Sequence, residues 1–109
     1  MPPIHGLQFD QSDIAALRHL RGLPRSRKLL ETALPTGVMA TIFLGNNAAQ
    51  VGHNIASTDW YMLAQAMASV SAIERNVFIQ TARLQQLSGS THEQRLFWRA
   101  VEDGCQGFE

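Results

Sequence analysis

From Asp59 to Ser88 the chain runs through 30 residues without a glycine or a proline. Those two residues are the strongest interrupters of a helix, so the stretch predicts one long helix. Ser57 or Thr58 caps its start, Asp59 complements the positive end of its dipole, and Gly89 ends it. Within it Leu63, Ala66, Val70, Ile73, Val77, Gln80, Leu84 and Leu87 follow in steps of three and four, a heptad seam with one polar member. A second stripe holds Trp60, Ala64, Met67, Phe78 and Ala82, interrupted by Ser71, Glu74 and Arg75. Two stripes predict packing on more than one side.

The length of that helix has a consequence for partners. About 30 helical residues span roughly 45 Å, whereas a compact domain of this chain length is roughly 35 Å across. The helix is therefore expected to overhang its own domain, and apolar surface left uncovered marks an interface. The seam from Leu63 to Leu87 predicts a homodimer, in which Gln80 meets its own copy and fixes register. Short helices covering the seam within one chain are the alternative. Trp60, Tyr61, Met62 and Met67 cluster at the start of the helix, and such residues are enriched in interface cores. With Phe78 and its charged neighbour Arg75 they are the candidates for binding a partner protein. The competing assignment is plain core, although four consecutive-turn residues cannot all face inward on one helix.

Around the long helix the sequence places three shorter ones, for a mainly α fold in a single domain over residues 1–109. Residues 1–9 read as an extended arm restricted by Pro2 and Pro3. A first helix starts at Ser12, carries Ile14, Leu17 and Leu20 on one face, and stops at Gly22. Pro24 opens a second over about residues 25–33, and Pro35 prevents its continuation. A capping box in Ser90-Thr91-His92-Glu93 opens the last helix, about residues 91–103, with Leu96, Phe97, Ala100 and Val101 apolar. Its short connection folds it back antiparallel on the long helix. Residues 104–109 read as a frayed tail. Between 36 and 56 two readings fit. A two-stranded β-hairpin near 37–55 is expected from Val38, Thr41, Ile42 and Phe43 and the turn material Gly45-Asn46-Asn47. A helix from Thr36 to Leu44 is the alternative, because so short an apolar run has no decisive period.

Charge and chemistry bound the function classes. Nine basic residues balance nine acidic ones, so bulk charge does not hold nucleic acid. Five of the nine basic residues, Arg18, Arg21, Arg25, Arg27 and Lys28, form one patch across two short helices. That loosely resembles helix-turn-helix geometry, and makes a small DNA-binding regulator the rival function; a solvated face explains the patch equally. His5, His19, His53 and His92 show no metal-ligand spacing with each other, with the lone Cys105 or with an acid, so neither metal nor cofactor is expected. Asp10 and Asp13 are explained by helix capping, and Cys105 lacks an orienting base. The expectation is a non-enzymatic protein. No segment reaches the roughly 20 apolar residues that span a bilayer, no signal-peptide pattern opens the chain, and the single cysteine fits a reducing compartment. A cytoplasmic protein with no membrane partner is therefore expected.

The layout as a whole, with two short leading helices, the long helix from Thr58 to Leu87 and a capped last helix from Ser90, resembles the helical antiactivators of bacterial quorum sensing of the QslA type. The resemblance lies in the order of elements and involves no motif, so no functional residue carries over. It implies a dimer that binds an acyl-homoserine-lactone-responsive transcription factor and blocks that factor's own dimerisation. Apart from the resemblance, the sequence supports a regulator acting by stoichiometric protein binding, or a structural subunit of a larger assembly.

Overall fold

The computed structural model describes residues 3–34, 36–45, 52–89 and 91–106. Among them the fold is mainly α: α1 (Gln11–Arg21), α2 (Pro24–Ala33), α3 (Val38–Leu44), α4 (Ser57–Ala68), α5 (Ala72–Ser88) and α6 (His92–Cys105). A small antiparallel sheet joins β1 (Ile4–Leu7) to β2 (His53–Ile55).

The long glycine- and proline-free stretch is helical on both sides of one break. Ser69 closes α4 with its N–H on Ala66 and Met67 carbonyls, and Val70 turns inward. Ser71 then caps α5, its hydroxyl accepting the Glu74 N–H at 3.4 Å. Serines on either side of a β-branched residue can end one helix and start the next without glycine or proline. The break also removes the expected overhang: the molecule measures 30 × 28 × 27 Å, too short for a straight helix of roughly 45 Å. α5 instead turns back and makes its largest contact with α6.

The extended N-terminal segment forms a strand and docks on the body, with Ile4, Leu7 and Phe9 buried. Ile4 stands opposite Ile55 and Leu7 opposite His53, with one extra residue in β1 between them. Gly6 absorbs that bulge at φ +67°, a conformation that favours glycine. The Asn54 carboxamide oxygen accepts the Gly6 N–H at 2.9 Å. β2 thus pairs with the N-terminus, and the expected hairpin is not formed. Residues 38–44 adopt the helical alternative, with Met39, Ile42 and Phe43 buried at helical spacing. Residues 46–51, where the hairpin turn and the start of its return strand were expected, lie outside the described residues.

Caps differ from expectation by one or two positions. Asp10, not Ser12, caps α1 and forms a reciprocal box with Asp13. Thr91 caps α6 with Gln94 as its reciprocal partner; Ser90 lies outside the described residues. Gln94 also donates to the Gln8 carbonyl at 2.9 Å, which ties the N-terminal segment to α6. At the other end, Gly104 and Cys105 belong to α6 and are buried, so the tail is helical at least that far.

The core is an aromatic cluster with Phe97 at its hub. Its ring lies 4.9 Å from Trp98, 5.1 Å from Phe9, 5.6 Å from Trp60 and 6.1 Å from Phe43, centroid to centroid. One ring of α6 therefore joins α3, α4 and the segment after β1. No helix among the described residues is long and apolar enough to cross a membrane.

Candidate functional site

The break at 69–71 divides the predicted seam. Leu63, Ala66 and Val70 are buried in the core. Past the break the same spacing points outward: Ile73 is 82% exposed, Leu84 65% and Leu87 87%. Gln80 is exposed and Val77 half-buried. The inward face of α5 is Phe78, Ala82 and Gln85.

The proposed partner-binding residues divide as well. Trp60, Met67 and Phe78 are fully buried, which corrects their assignment as surface anchors: the aromatic cluster and the α5–α6 contact enclose them. Tyr61 and Met62 stand 63% and 46% exposed on the outer side of α4. Met62 lines a cleft of about 480 Å³ between α2 and α4, with Leu29, Thr32, Ala33, Gln65, Ala66 and Ser69. The alanines leave room, and the methionine is an unbranched, adaptable wall. Tyr61, outside the lining, accepts a hydrogen bond from the side chain of the lining residue Gln65 at 2.9 Å. Arg75 lies elsewhere, lining a smaller hollow with Ala64, Ile79 and Cys105.

The basic patch is held around the α1–α2 corner. Arg18, Arg25, Arg27 and Lys28 are exposed, and Arg21 is half-buried. Arg21 donates to the Gly45 carbonyl at the end of α3. Burial, and then the nearby charges of Arg18 and Arg27, lower the pKa of its guanidinium. Arg25 and Lys28 sit one turn before Leu29 and Thr32 respectively, so the patch runs into the cleft along α2.

Two carboxylates with specific jobs were not visible as sites in the sequence. Glu74 of α5 accepts the Ser26 N–H at 2.7 Å and the Ser26 hydroxyl at 2.6 Å. It thereby supplies the first turn of α2 with the cap that Leu23 cannot provide. The Ser26 hydroxyl bond holds the Glu74 carboxyl below its ordinary pKa. Asp13 is buried and accepts from Trp98 Nε1 at 2.8 Å and Gln85 Nε2 at 3.1 Å. Its burial raises its pKa. Both act structurally, between helices, and neither lines the cleft.

Histidines and cysteine are dispersed. His5, His19 and His92 are exposed on separate elements, and His53 is buried against the Phe9 ring at 5.4 Å. Among the described residues no group of three His, Cys, Asp or Glu side chains converges as a metal site. Cys105 is buried, which pushes its thiol pKa up to about 12. Relative to a pKa of 9.0, that cuts the thiolate fraction at pH 8 about a thousandfold. The folded protein should therefore react with a disulfide reagent only on unfolding. Labelling followed by absorbance with and without urea checks this; rapid labelling of the native protein would place the thiol at the surface.

Compared with protein-family models, with curated proteins and with solved structures, the chain matches none.

Proposed function

We propose that the protein is a non-enzymatic regulator that works by stoichiometric binding of another protein at the face formed by α2 and α4. The observation carrying this reading is the cleft between those helices with Met62 and Tyr61 standing in water beside it. A mostly apolar cleft with a methionine in its wall and a tyrosine bonded to its lining suits a side-chain anchor on a partner helix. Arg25 and Lys28 along the same helix favour a partner whose anchor is flanked by acidic residues. In its narrower form, the one implied by the resemblance, the partner is an acyl-homoserine-lactone-responsive transcription factor and the protein an antiactivator. The same basic residues keep a DNA-binding regulator as the rival.

The Met62→Asp variant tests the reading. Met62 is exposed, so thermal stability should hold, with a change within about 0.5 kcal/mol. A charge in the cleft should cost at least about 2 kcal/mol of partner binding, roughly thirtyfold in affinity. A partner retained in equal amount by parent and variant would remove the α2–α4 face from the mechanism. For the narrower form, mixing the parent with the signal-bound transcription factor should give a discrete complex on a sizing column. No complex at tens of micromolar would remove that form. Nanomolar, sequence-specific duplex binding at physiological salt would establish the rival instead.

A further inference from the structure

We infer that the α2–α4 cleft and a smaller hollow beyond Met62 form one groove for a linear aliphatic chain with an anionic head, a fatty carboxylate, and that Met62 is the gate between its two halves. The inference rests on the reading above for the place of the site and deepens it, because such a chain competes with the partner's anchor for the same walls.

Met62 is what joins the two spaces. It lines the cleft of about 480 Å³ and also a hollow of about 190 Å³ walled by Leu34, Val38 and Met39. The helices run antiparallel across this face. Ser26, near the start of α2, is bonded to Glu74, which follows the end of α4, while Leu34, at the end of α2, shares the smaller hollow with Asp59 in the first turn of α4. The two spaces therefore lie end to end along both helices. Met62 is half in solvent, and its unbranched side chain turns about several bonds, so it can move aside where a β-branched residue would fix the wall.

Length selects the occupant. The groove follows α4 from Asp59 to Ser69, about 15 Å at 1.5 Å per residue, and its larger half, from Met62 to Ser69, about 10 Å. Extended dodecanoate matches the whole and octanoate the larger half. A partner helix is itself about 10 Å across and reaches into such a groove only with single side chains. A linear chain fills both halves, and it meets mostly carbon: Leu29, Ala33, Met62 and Ala66 in the cleft, with the Thr32 hydroxyl donating to its own helix at the Lys28 carbonyl.

Charge sets the direction. Arg25 and Lys28 are exposed one turn before Leu29 and Thr32 on α2, towards the Ser69 end. The Glu74 carboxylate lies near Arg25 but is engaged by the N–H and hydroxyl of Ser26. At the opposite end stands a carboxylate, Asp59, which accepts the Ala56 N–H at 2.8 Å. An anionic head thus belongs beside Arg25 and Lys28, and the tail beside Leu34, Val38 and Met39. Exposed charges attract weakly, so the tail carries most of the affinity.

Calorimetric titration of the full chain with octanoate, dodecanoate and tetradecanoate, each below its micellar concentration, tests the groove without a partner. A buried methylene is worth about fourfold in affinity, so dodecanoate should bind at least about tenfold tighter than octanoate, whereas tetradecanoate, which outreaches the groove, should gain no more than about twofold over dodecanoate. Val38→Asp puts a charge at the tail end. It sits in the first turn of α3, where an acid suits the helix dipole, so its melting curve should stay cooperative. In that variant dodecanoate should fall to the affinity of octanoate, and octanoate should be unchanged. Dodecyltrimethylammonium, with the same tail and a cationic head, should bind the parent severalfold more weakly than dodecanoate. Equal binding of octanoate and dodecanoate, no binding of either at millimolar concentration, or a gain that continues undiminished to tetradecanoate overturns the groove. Undiminished dodecanoate binding by folded Val38→Asp overturns the passage beyond Met62, and equal binding of the two heads overturns the anionic end. These titrations use the protein alone, so their failure leaves the partner test with Met62→Asp standing, and a failure of that test leaves the groove standing.

Discussion

Truncating Phe97 to alanine should lower the unfolding free energy by about 3–5 kcal/mol, the usual cost of emptying a large aromatic site. Total stabilities of single domains are only about 5–15 kcal/mol, so the variant sits at the edge of folding. The effect is expected to be large because the Phe97 ring touches four other rings that come from different parts of the chain. Phe9, Phe43, Trp60 and Trp98 cannot all move into the space at once, since each is fixed by its own segment. Urea unfolding followed by tryptophan fluorescence reads the change directly, because Trp60 and Trp98 both pack against the lost ring. Leu87→Ala is the control. That side chain is the most exposed of the large apolar ones among the described residues, and its loss should change stability by no more than about 0.5 kcal/mol. Equal costs at the two positions would mean that the inward and outward faces had been assigned wrongly.

Those two faces show how much of the fold the sequence carries. The apolar positions of α6 are legible: Phe97, Ala100 and Val101 are buried as their spacing predicts. Trp98 between them is buried as well, which spacing alone does not indicate. For α4 and α5 the heptad steps are equally clear, yet they run unbroken through residues 69–71, where the backbone is not helical. A break resets the direction in which a helix face points. The same steps therefore lead inward at Leu63, Ala66 and Val70 and outward at Ile73, Leu84 and Leu87. Only the second stripe, through Phe78 and Ala82, keeps its inward direction on α5, because α6 lies on that side. The β1–β2 pair was beyond reach for a different reason. Strands of four and three residues carry almost no period, and Gly6 meets Asn54 across 48 positions of sequence. The cleft is similar: Leu29 and Ala33 on one side and Met62 and Ala66 on the other have no shared local pattern. What the sequence does transmit is chemistry. Tyr61 and Met62 are unusual residues for the outer side of a helix, and the outward stripe is unusually apolar.

Replacing Asp13 by alanine should cost roughly 1–3 kcal/mol for each buried donor it leaves unpaired. Trp98 Nε1 from α6 is such a donor; Gln85 Nε2 from α5 also bonds Oδ1 but keeps the Ser12 hydroxyl at 3.2 Å as a second acceptor. The other oxygen accepts the Asp10 N–H at 3.2 Å, so that half of the reciprocal box is lost in the same step, while the Asp13 N–H keeps its bond to Asp10 Oδ1. Asp13→Asn separates charge from geometry. Its carboxamide oxygen can still serve Trp98 and Gln85, whereas its amino group would face the Asp10 N–H, donor against donor. The asparagine variant should therefore be less damaged than the alanine variant at neutral pH. Acid should then tell the two residues apart. Burial raises the pKa of Asp13 above its ordinary 3.8, so the folded state binds this proton more readily than the unfolded one. Its contribution is complete below 3.8 and is lost as pH rises through the folded-state value. Glu102 acts in the opposite sense: its bonds to Arg83 and Gln86 hold it below its ordinary 4.5, and its contribution is lost as pH falls. That loss is common to parent and variant and cancels in their difference. The stability of the parent relative to Asp13→Asn should therefore increase from pH 7 towards pH 4, read from urea midpoints at each pH. A difference that stays flat, or one that shrinks in acid, would mean that the buried carboxylate is no harder to ionise than an exposed one, and that its three donors offset the whole cost of its burial.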